Sequence, residues 1–224
     1  MSDPESAKMV YGDLRNRITD FKHIAKDYVV ELGGNGGTLT QPLATETNRI
    51  ISLDINRDIL TVNGKILENI NPIWGNILCL PFKDNKVDVV YARAVLHHLP
   101  DQLDDVLIEI KRVLKKGGVL IIQEPGYNHP IAYVIRKCFP TSSHDPDERP
   151  FKPKELIDTT REHFHLCLVE HHYLLSYVMP YIIAKLPFKK ATRKLLSLII
   201  KFDKELLKFK IFKPYCGYIS IEAR

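Results

Sequence analysis

Cysteine is scarce in this chain: it occurs at positions 79, 138, 167 and 216, with no two spaced as a pair. That excludes a disulfide framework and the zinc patterns built from closely spaced ligands, and it fits a reducing, cytoplasmic compartment. Long apolar runs are missing too. The longest uncharged apolar stretch, Tyr173 to Ala184, is too short to span a bilayer and is interrupted by Pro180. The opening residues Met1-Ser2-Asp3-Pro4-Glu5-Ser6 have neither the basic nor the apolar part of a secretory leader. No internal repeat and no low-complexity tract stands out.

The net charge of +5 is modest but unevenly spread. Between positions 185 and 213 there are ten Lys or Arg against two acids, Asp203 and Glu205. The length of 224 residues, with 45% hydrophobic and 26% charged content, suits one globular domain with insertions over 1–224.

Periodicity then sets out the elements. Tyr28–Leu32 and Ile50–Asp54 are short apolar runs that read as buried parallel strands. A weaker strand lies near Pro72–Trp74, and Val87–Ala92 and Val119–Gln123 are clear ones. Between the strands, residues 38–47, 58–67 and 103–114 read as helices, and residues 5–26 as another. Asp101 is the expected N-cap of the helix over 103–114, and Lys115-Lys116-Gly117-Gly118 its expected stop. Steady alternation of strand and helix means right-handed βαβ units and a parallel sheet. Past Glu124 the rhythm breaks, with five prolines over 125–150. It resumes with a helix from Pro153 and two strands, Phe164–Tyr173 and Tyr215–Ala223, separated by some forty helical, apolar and basic residues. The expected fold is α/β: a doubly wound, seven-stranded, mostly parallel sheet with its last strand antiparallel. The segments 125–150 and 174–213 are then helical lid insertions over the carboxyl edge.

Two acids end the first two strands, Glu31 and Asp54, and a glycine-dense turn follows the first. In an open α/β sheet that edge is where ligands bind. An acid after strand two suits ribose hydroxyls; its bland alternative is a cap on the following helix. A nicotinamide dinucleotide fits poorly, because Gly34-Asn35-Gly36-Gly37-Thr38-Leu39 lacks the third glycine of its fingerprint and Glu31 opposes a phosphate. A phosphate-free nucleoside fits better.

With these residues in view the chain resembles the class I S-adenosylmethionine-dependent methyltransferases, in the group acting on small molecules and lipids. Val29-Val30-Glu31-Leu32-Gly33-Gly34-Asn35-Gly36-Gly37 resembles the family's first motif, with Asn35 at its middle glycine. Ser52-Leu53-Asp54-Ile55 resembles the second. Gly75-Asn76-Ile77 followed by Leu80-Pro81-Phe82 resembles the third, with Asn76 where an Asp is usual. The segments 87–101 and 112–120 resemble the fourth strand with its loop and the approach to the fifth, so the likeness covers roughly residues 28–124. It implies S-adenosylmethionine as cofactor, held by Glu31, Gly33, Gly34, Asn35, Gly37, Asp54, Ile55, Asn76, Ile77 and Ala92. It implies methyl transfer to a small-molecule or lipid-like acceptor.

His97 is the first candidate for a general base, needed only for a hydroxyl or carbon acid. The alternative is that His97 and His98 shape the loop and cap the next helix. Tyr11, Arg93 and His98 are candidate substrate contacts. A non-catalytic cofactor-binding or scaffolding protein is the second functional class, favoured by Asn at positions 35 and 76. Position 92–95 reads Ala-Arg-Ala-Val, unlike the boxes of nucleic-acid methyltransferases, so no nucleic acid is expected. Histidines 144, 163, 165, 171 and 172 are expected to be packed or solvated rather than metal ligands. The basic, apolar segment 174–213 is either a lid packed on its own domain or a lid that also meets an anionic membrane surface.

Overall fold

The computed structural model describes residues 5–6, 9–10, 28–34, 49–58, 69–130, 149–186 and 188–224. Tyr11, Asn35, Gly37 and the helix expected over 38–47 lie outside them, as does most of the helix expected over 58–67.

Seven strands form one sheet: β1 Val29–Leu32, β2 Ile50–Asp54, β3 Ile70–Trp74, β4 Val87–Arg93, β5 Leu114–Pro125, β6 Leu166–His172 and β7 Tyr218–Ala223. Their order is β3-β2-β1-β4-β5-β7-β6. The first five run parallel, and β7 runs antiparallel to both β5 and β6. The expected seven-stranded sheet with an antiparallel last strand is therefore the observed one. Pro72 is tolerated because β3 is an edge strand and has no outer partner to need its missing N–H.

The central strands are buried on both faces. One face carries Val30, Leu32, Leu53, Val90, Ala92, Leu120, Ile122, Ile219 and Ile221 against helix α1, Leu103–Val113, and helix α2, Pro153–His163. Helix α1 buries Leu103, Val106, Leu107, Ile110 and Val113, the stripe its 3.6-residue period requires. The other face holds a smaller cluster of Val29, Ile50, Ile70, Val89, Tyr91, Val119 and Ile121.

Both ends of α1 differ from the sequence expectation. Its N-cap is Gln102, with no side-chain cap bond, because Asp101 is taken into a tight turn over Pro100–Gln102. The helix also stops at Val113 rather than at the glycines. Leu114 is already extended and pairs with Val87, so sheet pairing ends the helix before the glycines are reached. Gly117, at φ +80°, instead lies within the register shift between β4 and β5, where Val87 pairs with Leu114 and Val89 with Val119.

Helices α3, Met179–Ala184, and α4, Lys189–Leu206, fall between β6 and β7. They bring Ile183 and Leu196 together with Tyr173 and with Val10 of the N-terminal helical segment. An Arg193–Glu5 ion pair joins the same two parts. Since β6 is parallel to the first five strands, this insertion leaves the sheet at the edge where Glu31 and Asp54 stand.

Candidate functional site

The carboxyl ends of β1, β2, β4 and β5, with the amino end of antiparallel β7, collect the polar side chains that the strand interiors exclude. Register places Glu31 opposite Ser52 on one side and Tyr91 on the other. It also pairs Arg93 with Gln123, and Pro125 with Tyr218. Because side chains alternate along a strand, Asp54, Ser52, Glu31, Tyr91, Arg93, Gln123 and Tyr218 share one face. That face is dry toward the start of the strands and polar at their ends.

Glu31 and Asp54 end adjacent strands and are both buried, 2% and 8% exposed. The Ser52 hydroxyl donates to Glu31 Oε2 at 3.3 Å. Asp54 Oδ1 accepts the Asn56 amide at 2.9 Å, while its carbonyl accepts the Gly75 amide at 3.0 Å. The cap role considered for Asp54 is thus in use at Oδ1. Two buried acids on adjacent strand ends suit a polyhydroxylated, cationic ligand.

The chain order reverses between β1 and β4, and there the two loops touch. Gly33 turns at φ +71°, and a Cβ built on it would lie 2.6 Å from Val95 Cγ2. The amides of Gly33 and Gly34 both point to Leu53 O, at 2.8 and 3.4 Å. Bare backbone is therefore required here by both conformation and space. Gly33→Ala should cost roughly 1–3 kcal/mol from the backbone strain alone. Scanning calorimetry reads this as a fall of about 2–4 °C per kcal/mol for a chain of this size; a midpoint within 1 °C of the native one would contradict the crowding.

Asn76 is exposed in a turn after β3, where its Oδ1 accepts the Leu78 amide at 3.0 Å. One lone pair is used, and a carbonyl oxygen has two. The turn is braced from α1. Glu109 Oε1 accepts the Leu80 amide at 2.7 Å, and Arg112 donates to Leu80 O and Phe82 O at 3.1 and 2.9 Å. The hydrogen bond from Arg112 holds the Glu109 carboxyl below its usual range. Ile55 is 71% exposed beside Trp74, whose Nε1 donates to Ile55 O at 3.0 Å. Ile77 is half-buried against the core, and Ala92 is fully buried within it.

The loop after β4 is built around an acid that sequence reasoning missed. Glu124, fully buried near the end of β5, accepts the Val95 and Leu96 amides through Oε1 at 2.9 and 2.8 Å. Its Oε2 lies 2.6 Å from His97 Nδ1, the geometry of an imidazole N–H donating to a carboxylate. His97 is 5% exposed, and its carbonyl accepts the Arg149 amide at 3.0 Å. Arg149 in turn forks onto Glu155 at the start of α2. Ala94, at φ +47°, makes the bend that brings the loop back over β5. His98 is exposed, its ring centroid 4.3 Å from that of His97. Neither histidine caps α1, whose N-cap is Gln102. The only sequence signal for Glu124 was an acid closing an apolar strand.

Of the remaining histidines, His163 ends α2 and bonds Asp104 at 2.7 Å, so it does not share a strand face with His171. His171 lines a cavity of about 320 Å³ between β6 and α4, where burial and Lys213 depress its pKa to about 4. Among the described residues no three His, Cys, Asp or Glu side chains are grouped to hold a metal ion.

Comparison with known proteins places this edge in context. Residues 30–122 match the family described as "Methyltransferase domain". Phosphoethanolamine N-methyltransferase 1 of Triticum aestivum is 31% identical over 159 residues, which is 67% of this chain and 32% of that protein. The ubiquinone/menaquinone biosynthesis C-methyltransferase UbiE of Escherichia coli is 32% identical over 120 residues, 50% of this chain and 47% of that one. The matches thus span less than half the length of these relatives. Among solved structures, phosphoethanolamine N-methyltransferase 2 of Haemonchus contortus, in complex with phosphomonomethylethanolamine and S-adenosylhomocysteine, superposes with a TM-score of 0.65 at 14% identity. The overlap covers 97% of this chain and 56% of that one.

Proposed function

Since the chain belongs to the class I S-adenosylmethionine-dependent methyltransferases, we propose that it transfers a methyl group from S-adenosylmethionine to a small-molecule acceptor, with residues 1–224 acting as one domain. The observation that carries this is the pair of buried carboxylates, Glu31 and Asp54, on adjacent strand ends beside the bare backbone of Gly33. When bound, the cofactor supplies a methyl group already activated by its sulfonium.

Asp54 would hold the ribose hydroxyls and Glu31 the ammonium side. The Gly33–Gly34 backbone permits close approach, and Asn76 and Ile55 border the base. Asn35, Gly37 and Tyr11 complete the proposed set from the sequence. Little else is asked of the protein beyond alignment and exclusion of water. Where the acceptor is a hydroxyl or a carbon acid, His97 is proposed to take the proton at Nε2. Glu124 fixes its Nδ1–H tautomer, leaving Nε2 as the acceptor. His98 and Arg93 stand on the same loop and strand end as acceptor contacts.

Titration calorimetry with S-adenosylhomocysteine tests the cofactor assignment. Native protein should bind it, and Asp54→Ala should bind about 10- to 100-fold more weakly, as expected for losing one or two hydrogen bonds to a charged group. Binding of NADH in its place, or an unchanged affinity in the variant, would refute the assignment. Methyl release with extracted metabolites and lipids then separates an enzyme from a non-catalytic binder.

The finer proposal is a lipid-like acceptor met at a membrane surface, with the enzyme cytoplasmic and peripheral. Among the described residues no helix is long and apolar enough to cross a membrane. Helix α4 turns Leu196, Asp203 and the following Leu207 inward while Leu195, Leu198 and Phe202 stand 53–60% exposed. Lys194, Lys201 and Lys208 accompany that apolar stripe, a pattern that suits anionic headgroups. Full-length protein should float with phosphatidylserine vesicles and not with phosphatidylcholine alone. The double variant Leu198→Glu, Phe202→Glu should lose about tenfold in vesicle affinity with S-adenosylhomocysteine binding intact. Equal flotation of both proteins would leave the stripe without this role.

A further inference from the structure

Among the described residues, Arg93 at the polar edge has no carboxylate within ion-pair distance. It ends β4, between Glu31 on β1 and Tyr218 on β7, on the face that carries Tyr91 and Gln123. Among the described residues it forms no ion pair, and its Nη1 is buried with no hydrogen-bond partner. A guanidinium cannot shed its proton, and an unmet buried donor on a charged group is costly. Native proteins keep such a group where a ligand completes it.

Its surroundings say which part of the ligand. The nearby acids are otherwise engaged: Glu31 accepts from Ser52, and Glu124 from Val95, Leu96 and His97. Tyr91 donates its hydroxyl to Gln123 Oε1 at 2.6 Å. The groups left around Arg93 are phenols on the β7 and lid side. Tyr218 lies against it, with Tyr181 of α3 beyond, and the Tyr177 ring packs 6.0 Å from that of Tyr218. Burial raises the Tyr218 phenol above its ordinary pKa and the adjacent guanidinium opposes that. Tyr218 therefore remains a protonated donor at neutral pH. This is the β4–β5–β7 side of the edge, across β4 from the Gly33 turn and the Glu31–Asp54 pair.

We propose that Arg93, with the Tyr218 hydroxyl beside it, receives a carboxylate or phosphate group of the methyl acceptor, so that this enzyme selects anionic acceptors. The proposal rests on the methyl-donor assignment above, which fills the β1–β2 side with the cofactor. The ten cations over 185–213 would draw the same class of molecule toward the cleft.

The test uses full-length protein saturated with S-adenosylhomocysteine and titrated calorimetrically with inorganic phosphate and with acetate at low ionic strength. Native protein should bind at least one of them saturably. Arg93→Met should weaken that binding about 10- to 100-fold, the range for losing a charge-assisted pair, and Arg93→Lys should fall between. The affinity for S-adenosylhomocysteine should stay within about twofold in both variants. Ligand-free Arg93→Met should melt within about 4 °C of native protein, since the hydrogen bond it loses to Tyr218 is offset by removal of the buried, partnerless Nη1. Undiminished anion binding in Arg93→Met, or none in native protein, overturns the proposal while leaving the cofactor site standing. An equal loss of S-adenosylhomocysteine affinity also overturns it and assigns Arg93 to the donor's own carboxylate. A melting point lowered beyond that range overturns it in favour of a structural Arg93–Tyr218 contact. A native protein that binds no S-adenosylhomocysteine removes the methyl-donor assignment and this proposal together.

Discussion

Glu124→Ala is expected to lower the thermal midpoint by roughly 6–20 °C, the equivalent of about 3–5 kcal/mol. The size follows from what the substitution strands. Two buried amides, Val95 and Leu96, and the His97 imidazole all lose the same acceptor. Each such bond to a charged group is worth about 1.5–3 kcal/mol, and their sum is reduced because they share one carboxylate. Glu124→Gln separates structure from chemistry. Its amide oxygen still accepts the two backbone N–H groups, so it should cost only about 1–2 kcal/mol. Its NH₂, however, faces Nδ1, which must then become the acceptor and put the proton on Nε2. If His97 is the base, turnover of a hydroxyl or carbon-acid acceptor should fall by about 10²–10⁴. S-adenosylhomocysteine affinity should change little. A Gln variant that keeps native turnover would reduce His97 to a loop-shaping residue, and a stable Ala variant would contradict the burial of this carboxylate.

How much of this could be read beforehand depends on the range of the interactions. The strands carrying Glu31 and Asp54 were legible because a parallel strand buried on both faces reads as an unbroken apolar run, and each run closes on an acid. The mostly parallel sheet followed from the rhythm of strand and helix, whereas the strand order came only with the structure. Local rules failed where pairing competed with them. Lys115–Gly118 looks like a helix stop, yet Leu114 is captured by Val87 and the helix ends earlier. Asp101 looks like an N-cap, yet Pro100 draws it into a tighter turn. Glu124 and its three donors are separated by 27 to 29 positions, so no window of sequence shows the cluster. Arg93 is similar: its identity was visible, but among the described residues the partnerless state of its buried Nη1 exists only in three dimensions.

Asp203→Ala should loosen the insertion between β6 and β7 while leaving the sheet intact. In sequence Asp203 is one of two acids in a basic stretch, with the look of a solvated charge. In the structure it is 2% exposed and accepts the amides of Leu174, Leu175 and Ser176 at 2.9, 3.0 and 2.8 Å, along with the Ser176 hydroxyl at 2.5 Å. A side chain of α4 thus caps the turn Leu175–Tyr177 by which the chain leaves β6. Alanine strands three amides and a hydroxyl in a buried place, at a cost of about 3–4 kcal/mol. Because the donors belong to the insertion rather than to the strands, that cost should appear as local opening. Amide exchange over 174–206 should accelerate by about 10²–10³, the same energy expressed as a population, while Val30, Val90 and Ile122 keep their native protection. Asp203→Asn retains one acceptor oxygen and should fall between. With the acceptor placed beside α3 and α4 as proposed, the Ala variant should also raise the KM for the acceptor more than it weakens S-adenosylhomocysteine binding. Uniform acceleration across the sheet would mean that Asp203 supports the whole fold, and unchanged exchange over 174–206 would mean that the cap holds nothing closed.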